Sequence, residues 1–214
     1  MSYITRIPLD FRKRKTMRAM VQPSIFHGIV ENCFELGNPR KRHLWRLDSS
    51  RRDSYILIVS KEKPNIESAV KQIGFQRGSA VKNYDEFLRS IKDGATYRFR
   101  LRANPVRKPK VDGKTQTIPL ISEEAQLNWL NRQSKNHGFA VLPNKIKIIE
   151  DETTCFTKKV EARTRTPITM KCVTYDGILM ATDSDVLRRS LVDGIGREKA
   201  FGCGLLTLAP VAIL

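Results

Sequence analysis

Residues 96–103 read Thr96-Tyr-Arg-Phe-Arg-Leu-Arg-Ala103, with Tyr97, Phe99 and Leu101 on one alternate set and Arg98, Arg100 and Arg102 on the other. Side chains along a strand point to opposite faces in turn, so the stretch predicts a β-strand with an apolar face and a cationic face. A solvated polar face also alternates, but it usually mixes signs. Three arginines without an acid favour a surface that tracks phosphates. Upstream, residues 2–9 form a short apolar run, and after a basic stretch over 11–18 a helix carries Ile25, Phe26, Ile29, Val30, Cys33 and Phe34 at three- and four-residue spacing. Pro23 suits its first turn. Residues 44–48 and 55–60 predict a hairpin, and 66–91 a helical region with a break near 74–78. With 95–103 as its last strand, this half reads as one βαββαβ unit.

The second half repeats the order. Residues 117–121 predict a strand, and 123–135 a helix marked by Ala125, Leu127, Trp129 and Leu130. Strands follow near 139–149, then a hairpin of 155–161 with 168–175. A helix over 183–192, with Thr182 or Asp183 as cap and Val186, Leu187 and Leu191 on one face, leads to a last strand over 205–208. The economical architecture is α+β: two tandem ferredoxin-like domains, 1–104 and 105–214. Such sheets serve many purposes, so the activity has to come from particular residues.

Across 214 residues, 39 Lys and Arg stand against 22 Asp and Glu, a formal net charge of +17 with 40% hydrophobic residues. A folded domain with so basic a surface points to nucleic acid, with anionic lipid the weaker rival. No stretch approaches a membrane span, and the N-terminal residues lack the order of a signal peptide, so the expected location is the cytoplasm with no membrane partner. Cys33, Cys155, Cys172 and Cys203 form no CxxC pair, and His27, His43 and His137 are dispersed. Zinc-finger ligand spacing is therefore missing, and the thiols should be reduced and mostly buried.

The cations fall in blocks. Arg12, Lys13, Arg14, Lys15 and Arg18 precede the first helix, and Arg40, Lys41, Arg42, His43 and Arg46 lead into a strand. Arg51 and Arg52 mark a hairpin tip. Lys158, Lys159, Arg163 and Arg165 lie at the late hairpin, which reads either as a basic finger for the groove of an RNA stem or as a charged turn. Residues 193–210 place Gly194, Gly196, Gly202 and Gly204 around Arg197 and Lys199. That loop reads as a backbone cradle for phosphate or as a helix stop and tight turn. His27 falls on the flank of the first helix's apolar stripe, near Ser24 and Glu31. It is a general acid or base, or else a capping or surface histidine.

Several of these segments together carry a resemblance. Phe26-His27-Gly28 on a helix, Tyr97-Arg-Phe-Arg-Leu-Arg-Ala-Asn-Pro105, Ile118-Pro-Leu-Ile121 before Trp129-Leu130, and Gly194-Ile-Gly-Arg-Glu-Lys-Ala-Phe-Gly-Cys-Gly-Leu-Leu-Thr-Leu-Ala-Pro210 make the chain resemble the CasE family of CRISPR RNA-processing endoribonucleases. The resemblance implies two ferredoxin-like domains and cleavage of precursor CRISPR RNA at the base of the repeat stem-loop by 2′-hydroxyl attack. It also implies that the guide is retained in the type I-E surveillance complex beside other subunits, without metal or cofactor. His27 would move protons, while Lys158 and the amides of the Gly-rich loop would offset charge. The family commonly has tyrosine three residues before the histidine, where this chain has Ser24. A noncatalytic RNA-binding subunit of the same superfamily would share the basic surfaces without needing His27, and His43 in its basic run would be a backup RNA ligand.

Overall fold

The computed structural model describes residues 1–35, 43–49, 53–159 and 165–211. The chain divides into two compact units: Met1–Ser90 with 192–194 and 198–205, and Ile91–Leu191 with 195–197 and the residues from Leu206 onward. The first unit contains β1 (Tyr3–Pro8), α1 (Arg14–Val21), α2 (Pro23–Glu31), β2 (Leu44–Ser49), β3 (Ser54–Ser60), α3 (Glu67–Ile73), β4 (Ala80–Asn83) and α4 (Asp85–Ser90). Its antiparallel sheet runs β2-β3-β1-β4, with Ile7 opposite Ile56 and Arg6 opposite Ala80. One face of that sheet packs on the helices. Ile7, Leu9, Phe26, Ile29, Val30, Trp45, Ile56, Ile58, Val70 and Ile73 form a single buried cluster, and each such side chain contributes about 1.5–3 kcal/mol of burial.

The basic stretch over 11–18, expected to precede the first helix, enters a helix of its own, α1. Its buried face is only Thr16 and Ala19, while Met17, Met20 and Val21 are exposed. Two small residues make no apolar stripe, yet they let α1 approach closely: Thr16 Oγ1 donates to the Ile73 carbonyl at 3.0 Å. Lys13 Nζ donates to the carbonyls of Val70 and Gly74 at 2.8 and 2.6 Å, closing the C-terminus of α3.

The second unit contains β5 (Thr96–Ala103), the short strands β6 (Val106–Arg107), β7 (Lys110–Val111), β8 (Lys114–Thr115) and β9 (Ile118–Pro119), then α5 (Glu123–Asn136), β10 (Phe139–Lys159), β11 (Arg165–Ala181), α6 (Ser184–Asp193) and β12 (Leu206–Pro210). Its sheet runs β10-β11-β5-β12. The strand over 95–103, expected to close the first sheet, instead opens the second, and four-residue β4 closes the first. Both units then have the same βαββαβ order, the ferredoxin-like arrangement. Ser122 caps α5 through Ala125 N, and Asp183 caps α6 through Val186 N. The expected hairpin is the far end of a longer ribbon. β5 pairs only with Val173–Met180 of β11, so β10 and β11 continue past Val173 as two strands. Among the described residues no helix is long and apolar enough to cross a membrane.

Candidate functional site

Helices α1 and α2 enclose a groove of about 570 Å³ lined by Arg14, Lys15 and Arg18 from one side and Ser24, Ile25, Gly28, Ile29 and Asn32 from the other. Three cations thus face a helix wall that carries Ser24, Gly28 and Asn32 beside the apolar Ile25 and Ile29. A Cβ at Gly28 would meet nothing within 4 Å, so the backbone there is open to a ligand. Lys15 Nζ also reaches Gln72 Oε1. Among the described residues neither Arg14 nor Arg18 has an acidic partner.

His27 stands on the same helix, with a side chain 39% exposed. Its Nδ1 is shut off from solvent without a hydrogen bond, 3.8 Å from Glu31 Oε1 one turn along. The other carboxylate oxygen, Oε2, lies 3.2 Å from Nδ1 of His43. His43, expected as a backup RNA ligand, is buried and stacked on Phe34 at 3.5 Å between ring centroids with planes 3° apart. Its place in the basic run gave no signal of this; only the spacing of His27 and Glu31, four apart on a helix, was readable. Cys33, at the end of α2, is no nucleophile: burial, aided by the Glu31 charge, pushes its thiol up to about 11, and Sγ donates to the Ile29 carbonyl. Cys33, Cys172 and Cys203 are buried and reduced, and Cys155 is exposed.

The Gly-rich segment is built mainly for packing. A Cβ at Gly194, whose φ is +77°, would lie 2.6 Å from Leu44 Cδ2, and one at Gly202, at φ +82°, would lie 2.9 Å from the Trp45 ring. Gly194, Gly202 and Gly204 are buried, unlike the exposed wall of a phosphate cradle. The amides of Phe201, Gly202 and Cys203 bond to the carbonyls of Glu198 and Lys199 inside a 3₁₀ turn over Lys199–Phe201. Lys199 Nζ donates to the carbonyls of Asp193 and Gly194 at 2.6 and 3.1 Å. Gly196 and Arg197 remain exposed, with Arg197 Nη1 donating to Thr117 Oγ1 at 3.3 Å. The anchor beneath this segment is Arg46. Its guanidinium, 1% exposed, pairs with Asp48 through two 2.8 Å bonds and donates to the Leu205 carbonyl at 2.9 Å.

The arginine stripe on β5 is not single-signed in three dimensions. Arg100 sits in register with Asp176 and bonds to it at 2.6 Å, and Arg102 reaches Glu150 and Glu152 at 3.0 and 3.2 Å. Arg98 is exposed, with no acidic partner among the described residues. Arg12, though 81% exposed, forks onto Asp10 at 2.9 and 3.0 Å and lies over the Phe75 ring. Lys158 pairs with Thr166, and Lys159 with Arg165, near the end of the β10–β11 ribbon. The side chains of Lys158, Lys159 and Arg165 lie outside the described residues, as does Arg163 entirely.

A family model described as CRISPR associated protein matches residues 2–210. The chain belongs to this family. This CRISPR-associated protein is 26% identical over 217 residues to CRISPR-associated endoribonuclease Cse3 of Thermus thermophilus, covering 97% of this chain and 100% of that protein. It is 27% identical over 187 residues to the Cascade subunit CasE of Escherichia coli, covering 78% and 89%. A structure of Cse3 bound to 19 nt RNA superimposes with a TM-score of 0.81 at 24% identity, over 98% of this chain and 99% of that one. The crystal structure of Cas6e from E. coli gives 0.59 at 20% identity, over 99% and 100%. Within the family, the chain groups with CasE.

Proposed function

We propose that this CasE-family protein is an endoribonuclease that cuts precursor CRISPR RNA at the base of the repeat stem-loop, without a metal ion, and keeps the guide as a subunit of the type I-E surveillance complex. In this reaction the 2′-oxygen bonds to the adjacent phosphorus as the bond to the 5′-oxygen breaks. One proton leaves the 2′-hydroxyl and one reaches the departing oxygen. His27 handles one of those transfers through its solvent-side nitrogen. Arg14, Lys15 and Arg18 draw the backbone into the groove, and Ser24, shorter than a phenol, offers a hydroxyl to a phosphate oxygen on the groove wall. Arg98, Gly196, Arg197 and the ribbon end with Lys158, Lys159, Arg163 and Arg165 supply further phosphate contacts, Lys158 being a charge-stabilising group. The observation that supports this reading most is the half-exposed His27 imidazole on the helix that forms one wall of a groove with three cations. The naming of Cse3 as an endoribonuclease and of CasE as a Cascade subunit agrees with it.

The test is a labelled repeat hairpin incubated with the protein in EDTA. One cut 3′ of the stem is expected, lost when the ribose at that position is 2′-deoxy and reduced about 100-fold or more in His27→Ala with binding retained. Binding without any cut would instead favour a noncatalytic subunit. Cleavage of the deoxy substrate, or cleavage that needs a divalent ion, would overturn the mechanism.

A further inference from the structure

We propose that Glu31 is a positioning residue for His27, held in place by His43 and Phe34. The inference rests on the role proposed above for His27. An ionised carboxylate only accepts hydrogen bonds, so each imidazole nitrogen that faces it does best when it carries the proton. His43 Nδ1 lies 3.2 Å from Oε2, which makes it the donor and commits one edge of the carboxylate. The other edge, Oε1, faces His27 Nδ1 at 3.8 Å. That nitrogen is buried and unbonded, so its approach to Glu31 is the nearest satisfaction open to it. A carboxylate at this place favours the Nδ1–H tautomer of His27 and leaves Nε2 as the nitrogen available to RNA. The 3.8 Å separation is longer than a hydrogen bond, and bonds of this kind commonly tighten when substrate occupies the site.

The support behind Glu31 is rigid. His43 is 8% exposed and lies flat on Phe34. It directly precedes Leu44 and Trp45 of β2, both buried, and Trp45 packs on Phe26 of α2 with ring centroids 5.8 Å apart. The strand that follows His43 and the helix that carries Glu31 and His27 are therefore fixed against each other inside one unit. His43, Glu31 and His27 form a chain from the core to the groove-bearing helix. Without His43, Glu31 would be an exposed surface acid, free to adopt several rotamers.

Glu31→Gln in the full-length protein keeps size and removes the charge. Single-turnover cleavage of the repeat hairpin should fall about 10- to 50-fold, less than on removing the imidazole itself, while hairpin affinity stays within about two-fold. His43→Gln should produce a smaller fall in the same parameter. Nitrogen-15 NMR of the histidine rings reads the tautomer without any activity. The wild type should show His27 protonated on Nδ1, and Glu31→Gln should shift it toward protonation on Nε2. Unchanged cleavage together with an unchanged His27 ring spectrum in a folded Glu31→Gln protein would overturn the proposal. If His27→Ala cuts normally, the catalytic reading fails by itself, and the ring spectrum still decides whether Glu31 orients that imidazole.

Discussion

The α1–α2 groove and the β5 stripe are both clusters of cations in the sequence, yet the fold treats them differently. On β5 the strands alongside carry Asp176, Glu150 and Glu152, and two of the three arginines are ion-paired. On α1 the residues opposite Arg14 and Arg18 are Ser24 and Gly28, and the charge faces a groove. The number of cations in a segment therefore says little about which of them a polyanion can reach. That depends on the neighbours supplied by distant parts of the chain: Arg100 and Asp176 are separated by 76 residues.

Arg46 extends the contrast to its limit, because its charge is wholly internal, and it carries the largest expected effect. Arg46→Met removes both guanidinium bonds from the Asp48 carboxylate, 5% exposed, and strips a donor from the Leu205 carbonyl. The loss should be about 3–5 kcal/mol in urea unfolding, and Arg46→Met with Asp48→Leu should recover most of it. A single variant as stable as the wild type would mean that the pair does not anchor the Gly-rich segment.

Next in size is the direct comparison of the two clusters by salt dependence. Arg14→Ala with Arg18→Ala should reduce the slope of log affinity against log salt by about 2 and weaken hairpin binding about ten-fold or more at physiological salt. Arg100→Ala with Arg102→Ala should leave the slope nearly unchanged, since those guanidinium groups already have carboxylates to face. Reversed results would move the RNA path from α1 to the sheet.

Much of the fold was legible because apolar periodicity marks strands and helices locally: the hairpin of β2 and β3, α2 with Pro23 at its start, α5 and α6 all fall where their patterns predict. What local pattern cannot encode is the partner of a strand. Residues 96–103 have the same alternation whichever sheet they join, and the pairing with β11 and β12 depends on segments far along the chain, from Val173 onward. α1 was invisible because Thr16 and Ala19 bury themselves without an apolar stripe, and its exposed Met17 and Met20 point the wrong way. Of the proposed site, His27 and Ser24 stood out from the helical pattern. Glu31 was within reach as the acid four residues on, while His43 entered only through tertiary packing. Gly194 and Gly202 were recognisable as special, but their reason is the approach of Leu44 and Trp45, which no spacing announces.

The smallest effect concerns Arg12, a cation that is exposed and yet engaged. The Arg12 side chain, by hydrogen bonding, holds the Asp10 carboxyl below the usual carboxylate range against the opposing effect of burial, and the Arg12 amide adds a 3.1 Å bond. A folded-state pKa below the unfolded one stabilises the protein at pH values above the unfolded carboxylate pKa, near 3.8, and that stabilisation disappears as pH falls through the folded value. Arg12→Ala should therefore lower the urea midpoint slightly at pH 7 and bring the wild-type and variant curves together once the pH has fallen through the folded-state pKa. Part of the depression should survive, because the backbone amide of residue 12 still donates to the carboxylate. Hairpin binding at moderate salt should change less than in Arg14→Ala, since the Arg12 charge is already shared with Asp10. An equal or larger loss would show that phosphate displaces the carboxylate, and Arg12 would then count with the groove.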